Sequence, residues 1–176
     1  MKTREMMAEI AAELDSLGIP YDPGIPVGIM VETPAATIGI DLFLPHVDFV
    51  SLGTNDLTQY TLAVDRGSPF VAKLFDANHP AVLRQIDHVV KCCHDAGKWV
   101  GVCGQMAAEP LSVPLLVGLG VDELSVSISL IPDIKKLVSV LESDSVRKLA
   151  QAADELLDVE DERDGDAELV HSKTHE

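Results

Sequence analysis

The sequence predicts an α/β fold built on a parallel sheet, and three observations predict it. Four short apolar runs alternate with helical patterns along 176 residues, the order that gives a parallel sheet with helices outside. The runs are apolar almost throughout, as in strands buried on both faces. Three of the helical stretches open at proline and close at glycine or before proline, so their ends are punctuated. Two architectures satisfy this order, an open doubly wound sheet and a closed barrel. No Gly-rich dinucleotide fingerprint follows any run, which disfavours the first. A full (β/α)8 barrel needs roughly 250 residues; four strands make half of one.

The chain opens with a helix over about Thr3 to Leu17, where Met6, Met7, Ile10, Leu14 and Leu17 share one face. Gly18 ends it, and Pro20 to Pro26 is a loop. Val27 to Val31 is the first strand, closed by Glu32. Thr33-Pro34 then starts a helix that runs to about Leu44 and stops before Pro45. Val47 to Leu52 is the second strand, apolar apart from Asp48 and Ser51. A long connection to about Asn78 follows, holding a short helix near Leu57 to Leu62; long connections in compact domains are often functional. Pro80 opens a helix with Val82, Ile86, Val89, Val90 and Cys93 as its apolar face, closed by Gly97. Lys98 to Val102 is the third strand, Pro110 to Gly118 a helix, Val121 to Val126 the fourth strand, and Pro132 to Leu141 another helix. A last helix over Ser145 to Leu157 packs Val146, Leu149, Ala153, Leu156 and Leu157. Residues 1–158 thus form one domain, and 159–176 an acidic tail expected to be disordered.

Composition narrows the function. The apolar share of 47% supplies a core, and no apolar run reaches the length of a membrane span. The first residues lack the apolar core of a secretion signal, so a cytoplasmic location is expected. Cys92, Cys93 and Cys103 make an odd count without metal-site spacing. The formal net charge is −16, half of it between Glu142 and Glu168. Such a surface repels nucleic acid and anionic membranes. It repels an anionic substrate too, so a site for one needs local positive charge.

The chemistry gathers at the carboxyl ends of the strands, where parallel α/β folds bind ligands. Glu32 ends the first strand, Asn55 and Asp56 follow the second, and Cys103 ends the third. In the stretch Ser51 to Gly67, Gly53 permits a tight turn, Asn55 can bond an oxygen, and Arg66 can fork onto a phosphate. Mg²⁺ takes one or two protein carboxylates and fills its octahedron with water and phosphate oxygens; Glu32 and Asp56 are the natural pair. The competing reading makes Glu32 a buried acid bonded to a neighbour, and Cys103 an inert thiol rather than an acid–base group. His46, His79, His88 and His94 read as structural.

Three motifs in order then resemble a known family. They are Gly28-Ile29-Met30-Val31-Glu32-Thr33-Pro34-Ala35, the run GTNDLTQYTLAVDRG ending at Gly67, and Gly101-Val102-Cys103-Gly104. They look like the metal-binding strand, the signature and the catalytic cysteine turn of the phosphoenolpyruvate (PEP)-utilising enzymes. The resemblance extends from about Met6 to Val138. LTQYTLAVDRG leans towards the enzyme I group that serves sugar phosphotransferase systems, and away from PEP synthase and pyruvate phosphate dikinase. The fold implied is the carboxy-terminal half of a PEP-binding (β/α)8 barrel.

The resemblance implies that Glu32 and Asp56 coordinate Mg²⁺, and that Asn55, the Asp56 backbone and Arg66 hold the phosphate of PEP. It implies that Cys103 protonates C3 of the enolate, giving pyruvate. In the family the phosphoryl group goes to a histidine on a separate domain and then to a small phosphocarrier protein. That domain and the first four barrel strands stand ahead of the region that Met1 opens, so little turnover is expected of this chain alone. The family's barrel also forms homodimers, which leaves a non-catalytic assembly module as a further reading. Two departures are Gln105, where the family usually has an acid, and Ala108-Glu109, where it tends to have Gly-Asp.

Overall fold

The structure, a computed structural model, describes residues 2–152. The tail at 159–176 and the end of the last helix lie outside the described residues. Four strands form one sheet: β1 (Ile29–Val31), β2 (Val50–Gly53), β3 (Val100–Cys103) and β4 (Glu123–Ser125). They pair in parallel and in chain order. The register sets Ile29 opposite Val50, Val50 opposite Val100, and Gly101 opposite Glu123. Helices fill the connections: α2 (Pro34–Ile38) and α3 (Ile40–Phe43), α4 (Thr54–Leu62) and α5 (Pro80–Asp95), then α6 (Ser112–Leu119), with α7 (Ile131–Ser139) after β4. This is the expected topology of half a (β/α)8 barrel. No helix among the described residues is long and apolar enough to cross a membrane.

The core lies between the helices and one face of the sheet. Val31, Val50, Leu52, Val100 and Val102 are fully buried there against Ile40, Leu57, Val82, Ile86, Val89 and Leu116. The other face is open, which corrects the expectation of strands buried on both sides. Alternate residues point to it in three rows. Phe49 and Trp99 stack at the bottom, with centroids 4.4 Å apart. Met30, Ser51, Gly101 and Glu123 form the middle row, and Glu32, Gly53, Cys103 and Ser125 the top. Met30 is 54% exposed and Trp99 40%. The physical reason is closure: four strands carry helices on one side only, and the other side becomes an interior when a sheet curls into a full barrel.

Four further expectations change. The first helix, α1 (Lys2–Leu17), buries no residue, and Met6, Ile10 and Leu17 on its apolar face are exposed. It is anchored by Arg4, which donates to the His46 carbonyl at 3.2 Å and to Asp48 at 3.1 Å. The helix expected from Thr33 to Leu44 breaks at Gly39 and ends in a 3-10 turn, Leu44–His46, because Gly39 and Pro45 are poor helix formers. Thr33 does cap it, its Oγ1 accepting from the Ala36 N–H at 3.3 Å. The long connection after β2 begins as helix at once, since α4 starts at Thr54. Residues 143–152 are helical and bury Val146 and Ala150, but Leu149 faces solvent. Ala153, Leu156 and Leu157 lie outside the described residues.

Candidate functional site

Parallel pairing aligns the strand ends, so the top row of the open face is a rim. Gly53 pairs with Cys103, and Glu32 follows Val31, which pairs with Leu52. The three segments that carry Glu32, Asp56 and Cys103 therefore share one end of the sheet.

Gly53 explains how close they come. Its φ is −84°, a value any residue adopts, so turning is not why glycine stands here. A Cβ at Gly53 would lie 2.6 Å from Glu32 Cγ and 2.7 Å from Glu32 Oε1. The missing side chain is the space that the Glu32 carboxylate occupies. Glu32 is half-buried and has no hydrogen bond or ion pair to any described residue. The structural reading of Glu32 required such a partner, because an unpaired acid at a strand end is costly.

Asn55 and Asp56 sit in the first turn of α4, where helix N–H groups have no intrahelical acceptor. Asn55 Oδ1 accepts from the Gln105 N–H at 3.1 Å. That bond assigns the amide: its oxygen is used, and its NH₂ remains to donate to an anion. Asp56 pairs with Arg66 at 3.6 Å, with both side chains about 40% exposed. Chain reversal makes this pair possible, since α4 ends at Ala63 in the left-handed region (φ 53°). The pair is loose enough to exchange for a ligand.

The cysteine turn is built from the neighbouring strand and helix. Gly104, with φ 131° and ψ 178°, occupies a region open essentially to glycine alone. A Cβ there would lie 2.6 Å from Thr54 Oγ1 and 3.2 Å from Asn55 Oδ1. Thr54 is fully buried, and its Oγ1 donates to the Cys103 carbonyl at 3.5 Å. The Cys103 thiol is half-buried, 3.4 Å from Ser51 Oγ and 3.6 Å from the Leu52 carbonyl. On α5, burial pushes the Cys93 thiol up to about 11, with Cys92 adding to the shift and Lys98 opposing it.

Sequence reasoning passed over Thr54 and Ser51. Ser51 had a signal: it is the one polar residue of β2, on the same face as Gly53 by the two-residue period of a strand. The Gln105 departure loses little, since its backbone makes the contact with Asn55. The Glu109 departure also has a place, its carbonyl accepting from Ser112 and Val113 N–H at the start of α6. Two of the four histidines make structural contacts: His79 caps α5 through Nδ1, and His94 bonds Asp122 at 2.9 Å.

The donor set suits a hard cation. Two carboxylates at adjacent strand ends match the one or two that Mg²⁺ takes from protein. Among the described residues no group of three or more His, Cys, Asp or Glu gathers, so a cage made wholly of protein is not offered. Substrate oxygens and water would complete the shell.

A family model described as PEP-utilising enzyme, PEP-binding domain, matches residues 1–143. A phosphoenolpyruvate-protein phosphotransferase of Haemophilus influenzae is 45% identical over 153 residues, covering 85% of this chain and 27% of the relative. One of Haloferax volcanii is 48% identical over 149 residues, covering 84% and 26%. Multiphosphoryl transfer protein 2 of Escherichia coli is 44% identical over 150 residues, covering 85% and 18%. The chain thus spans about a quarter or less of the length of these curated relatives.

Proposed function

The chain belongs to the PEP-utilising enzymes through their PEP-binding domain, and from that premise we propose that its open rim binds PEP with Mg²⁺ as part of a phosphotransferase. The reaction is transfer of the phosphoryl group of PEP to a protein histidine, leaving pyruvate. Glu32 and Asp56 would hold the Mg²⁺, which neutralises charge on the phosphoryl group when bound. The observation that carries the reading is the glycine gap at Gly53, filled by a Glu32 carboxylate that has no hydrogen bond or ion pair to any described residue.

Each remaining side chain has a role in this reading. The Asn55 NH₂ donates to a phosphate oxygen, because its carbonyl is committed to Gln105. Arg66 leaves Asp56 for the phosphate and forks onto it. These contacts act on charge that grows as the phosphoryl group departs, where preorganised donors lower the barrier most. Cys103 stands at the end of β3, two strands from Glu32, and protonates C3 of the enolate as a general acid. A phosphohistidine domain, a small phosphocarrier protein, a homodimeric assembly and a cytoplasmic location belong to the same proposal. The names of the relatives support it over the PEP synthase or dikinase alternative.

Calorimetry with Mg²⁺ and PEP tests it, on the chain alone and mixed with the part of a relative that this chain does not match. Mg²⁺-dependent binding in either case, lost in Glu32→Gln, is the expected result. No binding in both, with folded chains, overturns the proposal. A sedimenting dimer in that situation favours an assembly module.

A further inference from the structure

Ser51 has no role in the proposed reaction, yet it touches the group that the reaction uses. Its side chain lies on the open face, one row below Cys103 and on the neighbouring strand. Ser51 Oγ stands 3.4 Å from Cys103 Sγ. The same sulfur lies 3.6 Å from the Leu52 carbonyl and 4.0 Å from Met30 Sδ. A thiol has one proton to give and lone pairs to accept. The contacts sort accordingly: Sγ accepts from the Ser51 hydroxyl and directs its own proton to the Leu52 carbonyl or, in turn, to a substrate.

We infer that Ser51 is a positioning residue for Cys103, orienting the thiol and stabilising the thiolate that remains once the proton has gone. The inference rests on the proposed role of Cys103. In that step the S–H bond breaks and its electron pair stays on sulfur. The π pair of the enolate forms the new C–H bond at C3, and Ser51 keeps its own proton. The sulfur thereby gains negative charge on a face that also carries acids. Glu32 lies in the same row beyond Gly53, and Glu123 in the row below on β4. Asp56, with Arg66, stands at the start of the helix that follows Gly53. A hydroxyl donor facing the sulfur accommodates that charge, because a hydrogen bond to the charged form favours it.

The test is the rate of alkylation of Cys103 by iodoacetamide at pH 7, resolved by peptide mass spectrometry on the whole chain. Cys92 on α5 is the internal reference, and reaction at buried Cys93 marks a variant that has lost its fold. Ser51→Ala is compared with the isosteric pair Ser51→Thr and Ser51→Val, which differ from each other by the hydroxyl. Thiolate fraction and intrinsic nucleophilicity partly cancel, so loss of the hydroxyl should slow alkylation by about three- to tenfold. Ser51→Ala and Ser51→Val are expected to be slow and Ser51→Thr to stay near the parent rate. Simple loosening predicts the opposite sign, because a smaller side chain exposes the sulfur. Unchanged or faster alkylation in both Ala and Val variants overturns the inference. PEP takes no part in this readout. Failure of PEP binding would sink the proposed function and leave the hydrogen bond standing, and the reverse holds as well.

Discussion

The two ends of the sheet treat their charged groups differently. At the amino ends, acids are tied to backbone N–H groups and to basic side chains. Asp48 accepts from the Val27 N–H at 2.7 Å and from Arg4. Asp122 accepts from the Val100 N–H at 2.8 Å and bonds His94. Lys98 reaches the Val47 carbonyl at 2.7 Å. These bonds staple α1, β1, β2, β3 and β4 at one end. At the carboxyl ends, Glu32 has no hydrogen-bond or ion-pair partner among the described residues, and Asp56 meets Arg66 only at 3.6 Å. The side chains that are bonded there serve to place the cysteine turn. One end is built to close the fold, and the other keeps its charges available, the division found in parallel barrels.

The titration behaviour follows that contrast. The Val27 N–H holds the Asp48 carboxyl below its ordinary value, against a rise from burial, with Arg4 assisting. Burial pushes Asp122 up, but the bonds from His94 and Val100 outweigh it and leave the carboxyl lowered. A carboxyl lowered in the fold contributes stability above its unfolded value, and loses it as pH falls through the folded one.

The largest expected effect is on the ligand end. Glu32→Gln and Asp56→Asn should each weaken Mg²⁺-dependent PEP binding by roughly 100-fold, the upper range even for groups one shell out from a metal. The melting temperature of Glu32→Gln should not fall, because no hydrogen bond or ion pair to a described residue is lost; a clear fall would mean that Glu32 is structural. Gly53→Ala comes next. Its methyl displaces Glu32, so the same affinity should drop by about 10- to 100-fold. Stability should fall by about 1 kcal/mol, since a flexible side chain can yield. Urea midpoints would separate the two effects.

At the stapled end the effect depends on pH. Stability should decline between about pH 5 and pH 2, around the ordinary carboxylate range. Asp48→Asn and Asp122→Asn should each flatten that decline while lowering stability near pH 7. A decline as steep as the parent's in the double variant would show that the acid sensitivity lies elsewhere. The smallest effect belongs to Thr58 on α4, whose fully buried Oγ1 has no hydrogen-bond partner among the described residues. Thr58→Val should raise stability by about 1 kcal/mol in denaturant titration.

Much of the fold was legible in the residues. Most of the face of α5 was readable, because Val82, Ile86, Val89, Val90 and Cys93 recur at helical spacing and all are buried; Leu83 is buried beside them. Strand order followed from alternation. The α1 stripe was periodic too yet buries no residue, since periodicity marks a face and not what it packs on. Among site residues, Glu32, Asn55, Asp56 and Cys103 could be assigned to strand ends from sequence. The Asp56–Arg66 pair depends on the reversal at Ala63, and no residue type announces a left-handed alanine. The purpose of Gly53 was misread as a turn because its neighbour in space is 21 positions away in the chain.

By itself, the sequence determined four parallel strand–helix units, the residues at their carboxyl ends and a chemistry of carboxylates, amide, guanidinium and thiol. Tertiary structure alone decided that Glu32 fills the gap at Gly53, that Ser51 meets Cys103, and that one face of the sheet stands open. Patterning is local: a period of two says which side a strand residue faces. Contacts between strands depend on register and on the number of strands, which arise only when segments distant along the chain are brought into hydrogen-bonding distance.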